Sequence, residues 1–205
     1  MKSLLILGAG GHGKVVADSA EATGNWSSII FLDDKSPRLA RVGDWPVAGL
    51  LDSWRDYDPA AFDILVAVGD NATRLNLHEQ LDASGYRLPV LIHPSAWVSS
   101  RAQLAAGCVV LAGGMINIDA QLGESAIVNT GASIDHDCHL GGAVHVSPGA
   151  HLGGGVRVGD LTWIGIGASI RQGISIGKRS MVGAGAAVVS NIPDDSTVMG
   201  VPARV

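Results

Sequence analysis

Aromatic side chains make up only 4% of this 205-residue chain, so stacked rings cannot supply its core, and small aliphatic side chains must. Charge is also sparse, at 16% of residues with a formal net of −5, and no block of lysine or arginine is present. That argues against a nucleic-acid partner, since nothing here would release counterions from phosphates. No run of 18 apolar residues exists to span a membrane. The apolar opening, Met1 to Leu7, enters a glycine loop rather than a signal-peptide cleavage site. A cytoplasmic protein without a membrane partner is expected. Cysteine is limited to Cys108 and Cys138, too few for a disulfide framework and compatible with a reducing compartment.

Glycine, at 28 residues, is plentiful, and its company is periodic. Stepping by six from Ile92 gives Ile92, Val98, Leu104, Val110, Ile116, Leu122, Val128, Ile134, Leu140, Val146, Leu152, Val158, Ile164, Ile170, Ile176, Val182 and Val188, with Gly, Ala, Ser or Asp crowded between. Seventeen aliphatic positions in unbroken succession fit neither a 3.6-residue helix nor a two-residue pleat. They predict a parallel β-helix in which three hexapeptides make one triangular coil, each coil rising roughly 4.8 Å. Cys108 and Cys138 are not separated by a whole number of coils, so they belong on different faces and should not pair.

The repeats leave residues 1–90 for another unit, and residues 91–205 form the β-helix domain. Leu4 to Leu7 reads as a strand, Gly8-Ala9-Gly10-Gly11-His12-Gly13 as a glycine loop, and Lys14 to Thr23 as a helix. A second strand, Ile29 to Leu32, ends in Asp33-Asp34, and a third, Phe62 to Val68, ends in Gly69-Asp70-Asn71 before a helix over 72–84. The spacing matches a dinucleotide fingerprint, with phosphates at a helix N-terminus and an acidic residue on a ribose. Only one mononucleotide half fits into this length, so a Rossmann-like half-domain for a nucleotide or nucleotide-sugar is expected. The alternative is a glycine loop that merely makes a tight turn.

Within the repeats, Ile134-Asp135-His136-Asp137-Cys138-His139, then His145 and His151, break the small-residue pattern. His139, His145 and His151 fall on different faces and cannot converge on a metal within one subunit, and no metal is expected; a zinc hydratase with sites shared between chains is a rival reading. His136 lies between two carboxylates, which suits a general base or simply a surface corner. Nothing lowers the Cys138 pKa, so it is read as filler. Gly154, one coil beyond His136, is a candidate oxyanion donor through its amide.

Taken together, the glycine loop, Phe31-Leu32-Asp33-Asp34, Val68-Gly69-Asp70-Asn71 and the terminal Gly200-Val201-Pro202-Ala203-Arg204 resemble the hexapeptide-repeat acyltransferases of the sialic acid O-acetyltransferase type. The branch that N-acetylates UDP-4-amino-sugars in bacterial glycan synthesis is the most similar. The resemblance implies a left-handed β-helix, a homotrimer, and acetyl-CoA bound between neighbouring prisms. It further implies His136 as general base, with Asp137 as its acidic neighbour, where relatives often carry Glu. By the same resemblance His145 contacts acetyl-CoA, Ile166 and Ala184 line the pantetheine channel, and Asn129 lines the acceptor pocket. Gly10, Gly11, His12, Asp33, Asp34, Gly69 and Asn71 are implied at the nucleotide-sugar. Arg171, Lys178, Arg179 and Arg204 are candidates for the CoA phosphates. Two rivals are O-acetylation of sialic acid or a related sugar, and a non-catalytic nucleotide-binding trimeric scaffold.

Overall fold

The structure is a computed structural model that describes residues 1–204. Its N-terminal half runs β1 (Ser3–Leu7), α1 (Gly11–Thr23), β2 (Ile29–Leu32), β3 (Arg41–Val42), β4 (Trp45–Gly49), a 3₁₀ helix (Leu51–Asp56), β5 (Phe62–Val66) and α2 (Asn71–Ala83). The sheet order is β3-β4-β2-β1-β5, with β1 parallel to both β2 and β5. The fully buried Leu4, Leu5, Ile6 and Leu7 mark β1 as an interior strand, between β2 and β5. α1 starts at Gly11, three residues before the sequence-based expectation, because Gly10 takes the extended N-cap conformation and the loop glycines become the first turn. A Cβ on Gly13 would stand 2.1 Å from the Gly8 carbonyl oxygen, so glycine is what lets the helix seat on β1. The β3–β4 hairpin and the 3₁₀ helix carry no strong periodicity and were not expected from the sequence.

From Leu91 onward every hexapeptide contributes a two-residue strand, and these strands stack in three parallel sheets. The first face includes residues 91–92, 109–110, 127–128, 145–146, 163–164 and 181–182; the second starts at 97–98 and the third at 103–104. Partners lie 18 residues apart, as in Ile116↔Ile134 and Leu122↔Leu140. The ladder from Val110 to Val188 is buried along the axis, each Val, Leu or Ile worth about 1.5–3 kcal/mol on burial. Ile92, at the open first coil, is 38% exposed because no coil lies beneath it. The period ends at residue 194, an aspartate; Val198 resumes the ladder and pairs beside Val182.

Each corner needs one left-handed residue, and positive φ recurs every six residues from 107 to 185. Asp119, Ser125, Asp137, Ala143, Leu161 and Arg179 occupy this conformation without being glycine. The two halves share a core: Leu91, Val109 and Leu111 pack with Leu4, Ile6, Val16 and Phe31.

Candidate active site

His136 stands on the corner between the second and third faces, beside the left-handed Asp137 (φ 58°). That backbone turn brings Asp137 Oδ2 within 2.7 Å of His136 Nδ1, so the shorter aspartate reaches the ring. Asp135 Oδ1 accepts from the His136 backbone N–H at 2.8 Å and from Asn117 Nδ2 at 2.7 Å, which keeps its carboxyl below the usual range. The Asp137 hydrogen bond, followed by the field of Asp135, raises the His136 pKa. With Nδ1–H held by Asp137, the exposed ring offers Nε2 as the basic nitrogen. Gly154 lies under this ring, where a Cβ would come within 2.5 Å of Cε1 and Nε2.

A second arrangement occupies the corner between the first and second faces. There Asn129, His145, Pro148, Trp163, Ile166 and Ala184 line a mostly apolar groove of about 500 Å³. Thr130 N–H donates to Asn129 Oδ1 at 2.8 Å, so Asn129 presents its amide nitrogen, 3.1 Å away, to His145 Nε2. His145 therefore carries its proton on Nδ1. Its ring packs on Trp163 at a centroid distance of 4.4 Å, and burial, with Arg74 and His12 adding to it, pushes its pKa down to about 3.

The glycine loop of the N-terminal half adjoins this groove. The Gly10 and Gly11 Cα atoms face open space at the α1 N-terminus, where an anion is favoured. Asp33 Oδ2 accepts from Ala9 N–H at 2.7 Å and so shapes the loop, while Asp34 Oδ1 accepts from Leu51 N–H. A cavity of about 560 Å³ opens along residues 34–39. His12 is turned inward, its ring 6.2 Å from that of His145, and burial followed by the Arg74 charge lowers its pKa to about 4. Asn71 departs from expectation. Its Nδ2 donates to the Leu161 carbonyl at 2.9 Å and its Oδ1 accepts from Arg74, so its polar atoms serve the junction between halves instead of facing the cavity along residues 34–39. The Gly69 carbonyl likewise accepts from Arg74.

Within one chain His136 and Gly154 come together, as do His12, Asn129, His145, Ile166 and Ala184, but the two groups sit on different corners. Lys178 and Arg179 are engaged by Asp160 and Asp195. Both cysteines are buried free thiols with raised pKa, Cys108 to about 12, which excludes a thiolate nucleophile. Sequence reasoning missed Asn117, Trp163 and Arg74. The first two were findable, lying 18 residues from Asp135 and His145 respectively.

Known proteins match this arrangement. The PglD N-terminal domain family matches residues 3–81. The acetyltransferase domain of PglB from Neisseria gonorrhoeae FA1090 superposes with a TM-score of 0.97 at 45% identity, covering 100% of this chain and 99% of that one. It has also been solved in complex with acetyl coenzyme A. A histidine-to-asparagine mutant of perosamine N-acetyltransferase from Caulobacter crescentus, in complex with CoA and GDP-perosamine, gives a TM-score of 0.92 at 39% identity over 100% of this chain and 96% of that chain. UDP-N-acetylbacillosamine N-acetyltransferase of Bacillus subtilis (strain 168) is 40% identical over 115 residues, 55% of this chain. The match spans about half, 52%, of that curated relative. The chain belongs to the hexapeptide-repeat acyltransferases, built on a left-handed β-helix. Within them it shares the branch that carries a PglD-type N-terminal domain.

Proposed function

We propose that this protein transfers the acetyl group of acetyl-CoA to the amino group of a nucleotide-linked amino sugar, with a UDP-4-amino-sugar favoured, in bacterial glycan synthesis. The observation that carries this reading is the Asp137–His136 pair set over Gly154, an imidazole whose Nδ1 is held by Asp137 and whose Nε2 is free. His136 Nε2 takes a proton from the sugar amine as the nitrogen attacks the thioester carbonyl. A C–N bond forms, the tetrahedral oxyanion accepts from the Gly154 N–H, and collapse breaks the C–S bond. The proton on the imidazolium then goes to the departing CoA thiolate, returning the base to its starting state.

The acyl donor lies in the groove of Asn129, His145, Ile166 and Ala184, and the nucleotide lies on Gly10, Gly11, Asp33 and Asp34. Because groove and base occupy different corners, the reaction needs two chains. The second face joins those corners and exposes Trp97 (55%) and Met115 (49%). Three prisms turning this face toward a common axis bring the groove corner of one beside the base corner of the next, which makes a homotrimer with three composite sites. A cytoplasmic location suits both the acetyl-CoA supply and the two buried free thiols.

The test is a thiol-release assay with acetyl-CoA against UDP-, GDP- and CMP-linked amino sugars and free sialic acids, alongside His136→Ala. Turnover of a UDP-4-amino-sugar that is lost in the variant is expected. Turnover of sialic acids alone would replace the N-acetyl reading with O-acetylation, and silence across the panel would remove it.

A further inference from the structure

The half-domain meets the prism along α2, which lies over the corner between the third and first faces. Successive turns of the helix address successive coils. His78 Nδ1 is 2.9 Å from Ser125 Oγ, Arg74 Nε donates to the Ser125 carbonyl at 3.0 Å, Arg74 Nη2 to the Ala143 carbonyl at 2.7 Å, and Asn71 Nδ2 to the Leu161 carbonyl at 2.9 Å. Ser125, Ala143 and Leu161 are left-handed corner residues one coil apart.

Arg74 sits at the middle of this seam and is only 1% exposed. Its other donors reach the Val68 carbonyl at 3.1 Å, the Gly69 carbonyl at 3.3 Å and Asn71 Oδ1 at 2.7 Å. Every acceptor is a neutral oxygen, and no carboxylate hydrogen-bonds the guanidinium among the described residues. A buried charge with no carboxylate on its fork and only the field of Asp70 to offset it is a costly way to join two surfaces that already share an apolar core. What the fork adds is direction: it ties the 68–71 loop of the nucleotide half to the two coils that present Asn129 and His145.

We propose that Arg74 is a positioning residue that holds the nucleotide-sugar subsite at one fixed separation from the acyl-donor groove. This rests on the function proposed above. The groove is lined by prism residues alone, so a variant that keeps the charge of Arg74 leaves its affinity for CoA nearly unchanged. The nucleotide subsite at Gly10 and Gly11 follows Gly8, which lies against Ala67 and Val68 at the start of the clamped loop, and so depends on that loop's position. The same charge assists burial in keeping His12 and His145 neutral between the two subsites.

The experiment is calorimetric titration of the full chain with CoA, and separately with UDP and GDP, for the unmodified protein, Arg74→Lys and Arg74→Met. Lysine keeps the charge but has three donors in place of five. For Arg74→Lys, CoA affinity within two-fold of the unmodified protein and a loss of about ten-fold or more in nucleoside-diphosphate affinity are expected, deepening in Arg74→Met. Equal retention of both ligands by Arg74→Lys would overturn the proposal. So would a parallel loss of both, which is what simple loosening of the fold produces, and so would failure of the unmodified protein to bind either diphosphate. A clean split without turnover of any amino sugar would support the clamp and sink only the acceptor reading.

Discussion

The carboxylate of Asp137 meets His136 Nδ1 at 2.7 Å from a left-handed corner position, so a turn required by the repeat also aims the carboxylate at the ring. His136→Ala is expected to lower kcat by ~10² to 10⁴, the usual worth of a general base. Asp137→Ala keeps the base but removes the main cause of its raised pKa. Activity requires neutral His136 and falls as pH drops through that pKa. The acid limb of the kcat profile should therefore move to lower pH in Asp137→Ala while the plateau drops. An acid limb that stays in place would separate Asp137 from the base.

Gly154→Ala tests the space beneath the ring. The added methyl would sit 2.5 Å from His136 Cε1 and Nε2, so the ring must swing out of line. A fall in kcat of roughly 10²-fold is expected, with CoA affinity unchanged because Gly154 does not line the groove. Full activity would remove both the packing argument and the oxyanion role.

Separation of base and groove predicts complementation. His136→Ala and a groove-blocking Ile166→Asp should each be inactive alone. Co-expressed, they should recover part of the activity, since in the proposed trimer a mixed assembly contains sites with His136 from one chain and an intact groove from its neighbour. No recovery in trimers shown to be mixed would return the whole site to a single chain.

The buried imidazoles give the fold an acid sensitivity. His12 and His145 have native pKa values lowered to about 4 and about 3, whereas the unfolded chain takes up these protons near 6.5. The unfolded state binds more protons in that window, so stability is complete above 6.5 and is lost as pH falls toward 4 and below. For His12 alone the loss is on the order of 3 kcal/mol. The Tm measured from pH 7.5 to 4.5 should fall, and His145→Gln should flatten the slope. Parallel slopes would contradict this.

Much of the fold was legible because a hexapeptide coil repeats both its buried aliphatic and its left-handed corner, and both leave marks on the sequence. His136 was legible through its two acidic neighbours. The seam was not. Arg74 bonds residues 51 and 69 positions away and Asn71 one 90 away, and no local pattern encodes which turn of α2 meets which coil. Asn71 follows a strand and a glycine as a ligand-binding residue does, yet its side chain turns toward the prism. The β3–β4 hairpin escaped because two strands of 2 and 5 residues around Gly43 are too short to show alternation.

The seam between α2 and the prism works as a vernier. A helix advances about 5.4 Å per turn and the coils about 4.8 Å, so the two scales drift by roughly 0.6 Å at each step. Across the 13 residues of α2 the slip is about 2 Å, within what side chains absorb. By about four turns the slip reaches roughly half a coil spacing, where a side chain on the helix would face the gap between two coils. The half-domain can therefore grip only a few coils, while the prism beyond that grip is free to gain or lose whole coils without disturbing it.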